Sequence, residues 1–184
     1  MSTTFPRTRG SQRGYSVAEV EDFLQDARTA YTAPIHTPVA IDARSIRETA
    51  FSLEKGGYVP GAVDAALERL EDAFATRERE RALSTSGGDA EWYAAARRTA
   101  QEIVDRIDRD HGYRFKRVGG LSKGYSPRQV DEFADRLAEY FQSGASVTPE
   151  EVRSVVFRSS NGGYDEAQVD FFLDTVVSVM LAVR

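Results

Sequence analysis

Apolar residues recur at helical spacing in four separate stretches of the chain. Val20, Phe23, Leu24, Ala27 and Tyr31 fall at i, i+3, i+4, i+7 and i+11, and Val130, Phe133, Ala134, Leu137 and Phe141 repeat the stripe. Val63, Ala66, Leu67, Leu70 and Phe74 form a third, and Val169, Phe172, Leu173, Val176 and Met180 a fourth. Residues three and four apart share one helix face, so each stretch predicts an amphipathic helix with its stripe turned to a core. Two shorter helices are predicted upstream of the third and fourth stripes. They are capped by Asp42 and Thr148 and carry Ile46 with Phe51 and Val152 with Phe157. After the breaker STSGGD another helix runs from about Asp89 to Asp110, with Trp92, Ala96, Ile103 and Ile107 inward. The terminal helix, VVSVMLAV, is apolar nearly all round, which places it in a core or an oligomer interface. No segment alternates with a period of two, and the pattern predicts an all-α chain of about seven helices.

A repeated phrase precedes each stripe. RGYSVAEVEDFL starts at Arg13, GGYVPGAVDAAL at Gly56, KGYSPRQVDEFA at Lys123 and GGYDEAQVDFFL at Gly162. The copies share Gly14-Tyr15, Gly57-Tyr58, Gly124-Tyr125 and Gly163-Tyr164, then Val20, Val63, Val130 and Val169, then Glu21, Asp64, Asp131 and Asp170. Phe5 and Phe115 precede their glycine by nine residues, Phe51 and Phe157 by six. A long, short, long, short order is what duplication of a two-repeat unit leaves. It predicts four loop-helix repeats in two pseudo-symmetric halves, residues 1–86 and 87–184, each pairing its two copies internally.

Local physics accounts for the shared letters. Ser16 with Glu19, Ser126 with Gln129 and Asp165 with Gln168 have capping-box spacing, and each tyrosine and valine stand where a hydrophobic staple forms. Pro127 suits a first helical position, the four acids favour the helix dipole weakly, and each glycine offers a positive φ for the turn onto the cap. Val59 cannot cap, so the second helix start is predicted to be the weakest. On this reading the tyrosine–valine junctions launch helices. A β conformation at two of them would contradict both the all-α architecture and any kinship built on it.

Composition narrows the function classes. With 184 residues, 41% of them hydrophobic, the chain can bury a core as one domain or two small ones and is expected to be soluble. A net charge of −5 and a pI near 5.2 disfavour general nucleic-acid binding, which needs a basic surface. The absence of cysteine excludes disulfides and thiolate chemistry and is compatible with a reducing cytoplasm. The longest apolar run, Thr175 to Val183, is about half of the roughly 20 residues that a membrane-spanning helix needs. Residues 1–15 are basic without the apolar core of a signal peptide, and Ser2 excludes myristoylation. The expected compartment is the cytoplasm.

No constellation reads as a catalytic site, and an enzyme with an unrecognised site is the remote alternative. His36 and His111 have no ligand-spaced partners, so neither a metal nor any other cofactor is expected. GGLSKGYS imitates a phosphate loop, but Tyr125 stands where its lysine must be. RERER, Arg77 to Arg81, reads as a solvated helix face, and Trp92 as core. Phe5, Phe51, Phe115 and Phe157 are expected to pack beneath the Gly-Tyr loops, with exposed anchoring as the competing use.

The combination of Phe, a loop, Gly-Tyr, Val-Asp and a Phe-Leu pair, clearest from Thr148 to Asp174, resembles the N-terminal motif of the DivIVA family, in its actinobacterial form. The four copies cover more than half of the chain. The resemblance implies a non-enzymatic scaffold or adaptor in cell division or polar growth, with DivIVA-type proteins or itself as partner and no small-molecule substrate. It also implies peripheral contact with the inner membrane surface through the loops before Gly-Tyr. The family's inserting aromatic, two residues before the glycine, is replaced here by Gln12, Lys55, Ser122 and Asn161. What remains for such a contact is Phe5, Arg7, Arg9 and Arg13, then Phe115, Lys116, Arg117 and Lys123, and Arg158. Each cation is worth about 1 kcal/mol near an anionic surface, so the contact is expected to be weak. The alternative is a soluble adaptor that binds DivIVA-type proteins without lipid. The family's coiled coil has no counterpart in an extended heptad array, so filament assembly by this chain alone is not expected.

Overall fold

A computed structural model of the chain describes residues 5–35, 37–84 and 87–183. It divides into two compact units, Met1–Asp89 and Ala90–Arg184. Among the described residues there are seven α-helices and two small two-stranded sheets.

The first unit runs β1 (Arg13–Tyr15), α1 (Val17–Thr32), α2 (Ala43–Arg47), β2 (Leu53–Lys55) and α3 (Pro60–Leu83). β1 pairs antiparallel with β2, Gly14 opposite Glu54 and Tyr15 opposite Leu53. Beyond the strands, Tyr15 and Tyr58 exchange backbone hydrogen bonds of 2.9 Å in both directions. Val20, Tyr58 and Val63 form the core of this crossing, with Phe5, Tyr15, Leu24, Phe51 and Leu67 packed around them. Tyrosines and valines therefore share one cluster, and burying these side chains out of water is what holds the crossing shut.

The second unit runs α4 (Gly88–Ile107), β3 (Lys123–Tyr125), α5 (Pro127–Ser143), α6 (Pro149–Ser154), β4 (Ser159–Asn161) and α7 (Glu166–Ala182). β3 pairs with β4, Gly124 opposite Ser160, and Tyr125 and Tyr164 exchange backbone bonds of 3.0 and 2.8 Å. Val130, Leu137, Val169 and Val176 are buried beneath it, and α4 adds Ala96, Ile103 and Ile107. Trp92 is half-buried, its indole N–H donating to the Ala182 carbonyl at 3.0 Å. The terminal helix buries Val176, Val177, Met180 and Leu181, as an all-round apolar segment must.

Each tyrosine is followed two residues later by the first residue of a helix, at Val17, Pro60, Pro127 and Glu166. The junctions are not free of β structure, however. Gly14-Tyr15 and Gly124-Tyr125 lie in strands, and Tyr58 and Tyr164 are bridged to them. The all-α expectation is corrected there: the chain is mostly helical with two minimal sheets. Strands of three residues are too short to show an alternation in sequence. Phe51 and Phe157 also lie beyond the ends of α2 and α6, in the extended segments that lead into the strands.

The helix caps split into two groups. Asp42 and Thr148 form complete capping boxes, with Ser45 and Glu151. Ser16 and Ser126 make no side-chain cap bond, which places them beside Val59 and leaves the second helix start no special weakness on this count. Asp165 does accept from the Gln168 N–H, at 3.1 Å. The box residues instead reach across the crossing. Glu19 accepts from the Ser52 N–H at 2.7 Å, Gln129 from the Arg158 N–H at 2.7 Å, and Gln168 from the Lys116 N–H at 3.0 Å. The free N–H of Val17 is taken up by Glu54, at 3.0 Å.

The role of the glycines is corrected as well. None of Gly14, Gly57, Gly124 and Gly163 has a positive φ. Two backbones cross at these points, and a Cβ on Gly14 or Gly124 would overlap the carbonyl oxygen of Tyr58 or Tyr164. Close approach, and not turn geometry, demands the missing side chain.

RERER is not a solvated face. Arg77, Glu78, Arg79 and Arg81 are half-buried. Arg77 lies over the Tyr31 ring at 5.2 Å and Glu78 accepts from the Ala43 N–H at 2.6 Å. Burial pushes the Glu78 carboxyl above its usual range despite that bond.

Candidate functional site

The motif residues converge on the two crossings, where the acid after each valine has a specific partner. Tyr58 donates its hydroxyl to Glu21 at 2.6 Å, and Tyr164 donates to Asp131 at 3.0 Å. Tyr15 and Tyr125 lie close enough to Asp64 and Asp170 for each acid to act on the phenol. Glu21 and Asp131 therefore clasp the tyrosine of the facing Gly-Tyr, a stronger duty than the dipole contact expected of them, and Asp64 and Asp170 stand beside the other two. All four phenols are pushed up. For Tyr58 the Glu21 hydrogen bond is the leading cause, and for Tyr15 and Tyr125 it is burial followed by the acid. Tyr164 is pushed up to about 12, by burial first and Asp131 second.

The second crossing stands on a buried ionic cluster. Arg114 and Asp131 are buried, with Arg114 Nη1 3.9 Å from Asp131 Oδ1 and donating to the Asp131 carbonyl at 2.8 Å. Asp131 also accepts from the Gly112 N–H at 2.7 Å. Arg114 Nη2 bonds Asp135 at 2.6 Å, and His111 pairs with Asp135 at 3.1 Å. Burial works to raise the Asp135 carboxyl, but hydrogen bonds from Arg114 and His111 outweigh it and hold the group below its usual range. In the first unit the buried pair is Arg47–Glu71, which joins α2 to α3. These acids have structural partners, and among the described residues no group of three or more His, Asp or Glu is placed to hold a metal. His36 lies outside the described residues.

The candidate contact residues are distributed unevenly. Phe5 and Phe115 are not exposed anchors: each packs edge-on against a tyrosine, Tyr58 or Tyr164, at 5.3 Å, because the crossing has its apolar cluster directly beneath them. Phe51 and Phe157 pack on Tyr15 and Tyr125 with tilted rings, at 5.4 Å. Arg7 and Arg117 cover the Tyr58 and Tyr164 rings at 5.7 and 5.8 Å, so both are partly committed to the fold. Arg9, Arg13, Lys116, Lys123 and Arg158 are exposed.

Register adds two residues that the sequence reading missed. Arg13 stands directly opposite Lys55, a like-charge pair that costs stability in an antiparallel sheet. Leu121 is fully exposed, at the tip of the loop between Lys116 and Lys123. Only the pairing register could reveal the first. The second was legible as an apolar residue in GGLSKGY. Among the described residues no helix is long and apolar enough to cross a membrane. No family model matches the chain, and neither a curated protein nor a solved structure has significant similarity to it.

Proposed function

We propose that the chain is a non-enzymatic scaffold or adaptor of DivIVA type. In this reading four degenerate loop-helix copies form two halves, and each half closes its own pair of copies on itself. β pairing at Gly14-Tyr15 and Gly124-Tyr125 contradicts a kinship argued from a purely helical motif, so the reading is supported by sequence spacing alone. The role is in cell division or polar growth, through protein contacts and a weak peripheral contact with anionic membrane.

One observation carries the membrane half of this reading: Arg13 opposite Lys55, with Arg9 exposed on the same loop. Two cations held side by side in a sheet repel one another, and an anionic surface relieves that cost. In the second unit Leu121 and Lys123 offer an apolar tip beside a cation. The second reading, an adaptor for DivIVA-type proteins that never touches lipid, is favoured by the inward packing of Phe5 and Phe115. Co-sedimentation of the full chain with phosphatidylglycerol vesicles decides between them. Recruitment that is lost on Arg13→Glu with Lys123→Glu supports the membrane reading. Absence of recruitment at low salt leaves the adaptor.

A further inference from the structure

A groove of about 730 Å³ opens in the second unit, between the end of α4 and the start of α7. The two helices run antiparallel there, since the start of α4 meets the end of α7 through Trp92 and Ala182. Its lining includes Arg106, Arg109 and Lys116 against a single acid, Glu102. Among the described residues none of these three cations is in an ion pair. Arg106 is half-buried, with its guanidinium over the Phe115 ring at 5.6 Å. Burial and the neighbouring Arg109 both act against its charge. The apolar part of the lining is also unspent. Tyr113 is 78% exposed and Phe171 64% exposed, although aromatic rings of this size are ordinarily drawn largely out of water.

Cations without an ionic partner, Arg109 and Lys116 above all since Arg106 also donates to the Arg114 carbonyl at 3.3 Å, next to exposed aromatics are the composition of a protein-recognition hot spot, in which a ring supplies area and a cation supplies direction. We propose that this groove docks an acidic segment of a partner protein carrying one aromatic or large aliphatic side chain. The carboxylates of the segment meet Arg106, Arg109 and Lys116, and its apolar side chain lies against Tyr113 and Phe171. A free phosphate would satisfy the cations but leave both rings in water. A continuous anionic membrane would press on Glu102, whereas a polypeptide can set a neutral or basic residue there. The inference rests on the adaptor half of the proposed function, in taking the ligand to be a polypeptide. It uses none of the residues in the vesicle test, so failure of one is distinguishable from failure of the other.

Fluorescence anisotropy of the full chain with labelled peptides tests it. The probes are a Glu/Asp-rich peptide with one Phe, the same peptide with Ser for Phe, and a third with Lys for every acid. We expect the first to bind, the second to bind about tenfold more weakly and the third not to bind. Arg109→Glu and Phe171→Ala should each weaken the first by about tenfold or more, and Arg128→Glu, at an exposed position outside the groove, should leave it unchanged. Both groove positions are exposed, so circular dichroism should report an intact fold for either variant. Equal binding of the Phe and Ser peptides, or indifference to both groove variants, overturns the proposal. So does displacement of the peptide by inorganic phosphate or phosphatidylglycerol vesicles at matched charge, which would assign the groove to a phosphate or a lipid headgroup.

Discussion

The two crossings share a backbone and differ in what secures it. In the second unit both box residues, Gln129 and Gln168, reach over to an N–H of the opposing segment. In the first only Glu19 does so. The missing bond has a double cause. Ala62 stands where Gln168 stands in the second unit, and Pro6, where Lys116 would offer its N–H, has none to give. The backbone bond beside it survives, from the Val59 N–H to the Pro6 carbonyl at 2.8 Å, just as Asp165 donates to Lys116 at 2.8 Å. Burial follows the same trend: Phe115 and Phe157 are buried, whereas Phe5 and Phe51 are half-buried. Backbone pairing and glycine are therefore the constant part of this device, and the side-chain clasps are an adjustable part.

The constant part should break either unit. Gly124→Ala or Gly14→Ala forces a Cβ into a carbonyl oxygen, and we expect about 3 kcal/mol or more of destabilisation in each case. Chemical denaturation followed by Trp92 fluorescence, the single tryptophan, reads the second unit; hydrogen exchange at α1 and α3 reads the first. A smaller effect separates the units at high pH. The Tyr164 phenol is held at about 12 in the folded state against an ordinary 10.0, so its contribution is whole below pH 10 and drains away as pH rises towards 12. The loss amounts to roughly 2–3 kcal/mol, and it should vanish in Tyr164→Phe. Tyrosinate absorbance alongside the unfolding curve gives both quantities.

Removing a hydroxyl at neutral pH sharpens the contrast further. Tyr164→Phe deprives a buried carboxylate of a donor and should cost about 2 kcal/mol, while Tyr58→Phe, facing the exposed Glu21, should cost about 1. The smallest effects belong to the clasps. Gln129→Ala or Gln168→Ala is expected to cost about 1 kcal/mol. Ala62→Gln alone should gain nothing in the first unit, because Pro6 cannot donate. Ala62→Gln with Pro6→Lys should recover about 0.5 kcal/mol or more beyond the sum of the singles, as a double-mutant cycle would show.

Local signals were legible and long-range ones were not. The positions of the helix starts at Val17, Pro60, Pro127 and Glu166 and the caps at Asp42 and Thr148 are marked by residues a few places apart, and the sequence carries them. Ser16 and Glu19 have the same local spacing, yet Glu19 prefers Ser52, 33 residues away, and no window on the chain displays that competition. Glu21 and Tyr58 are 37 residues apart, so the sequence shows the acid only as a dipole partner. RERER is polar by letter, but Arg77 covers Tyr31 with its guanidinium and Glu78 caps Ala43, both uses of long side chains that a charge run conceals. Of the contact surface, the basic residues were visible one at a time. The pairing of Arg13 with Lys55, and the groove that collects Arg106, Arg109 and Lys116, exist only once the chain has closed.

The tyrosine-to-tyrosine crossing has a consequence for assembly. Its backbone bonds are identical in kind in both units, and its glycines have no side chain to identify a partner. What joins Tyr15 to the Tyr58 of its own molecule is the tether between them, which sets a local concentration that free chains reach only when crowded. Shortening or stiffening the linker between α1 and α2 would weaken that advantage and let two molecules exchange arms, with every bond of the crossing retained.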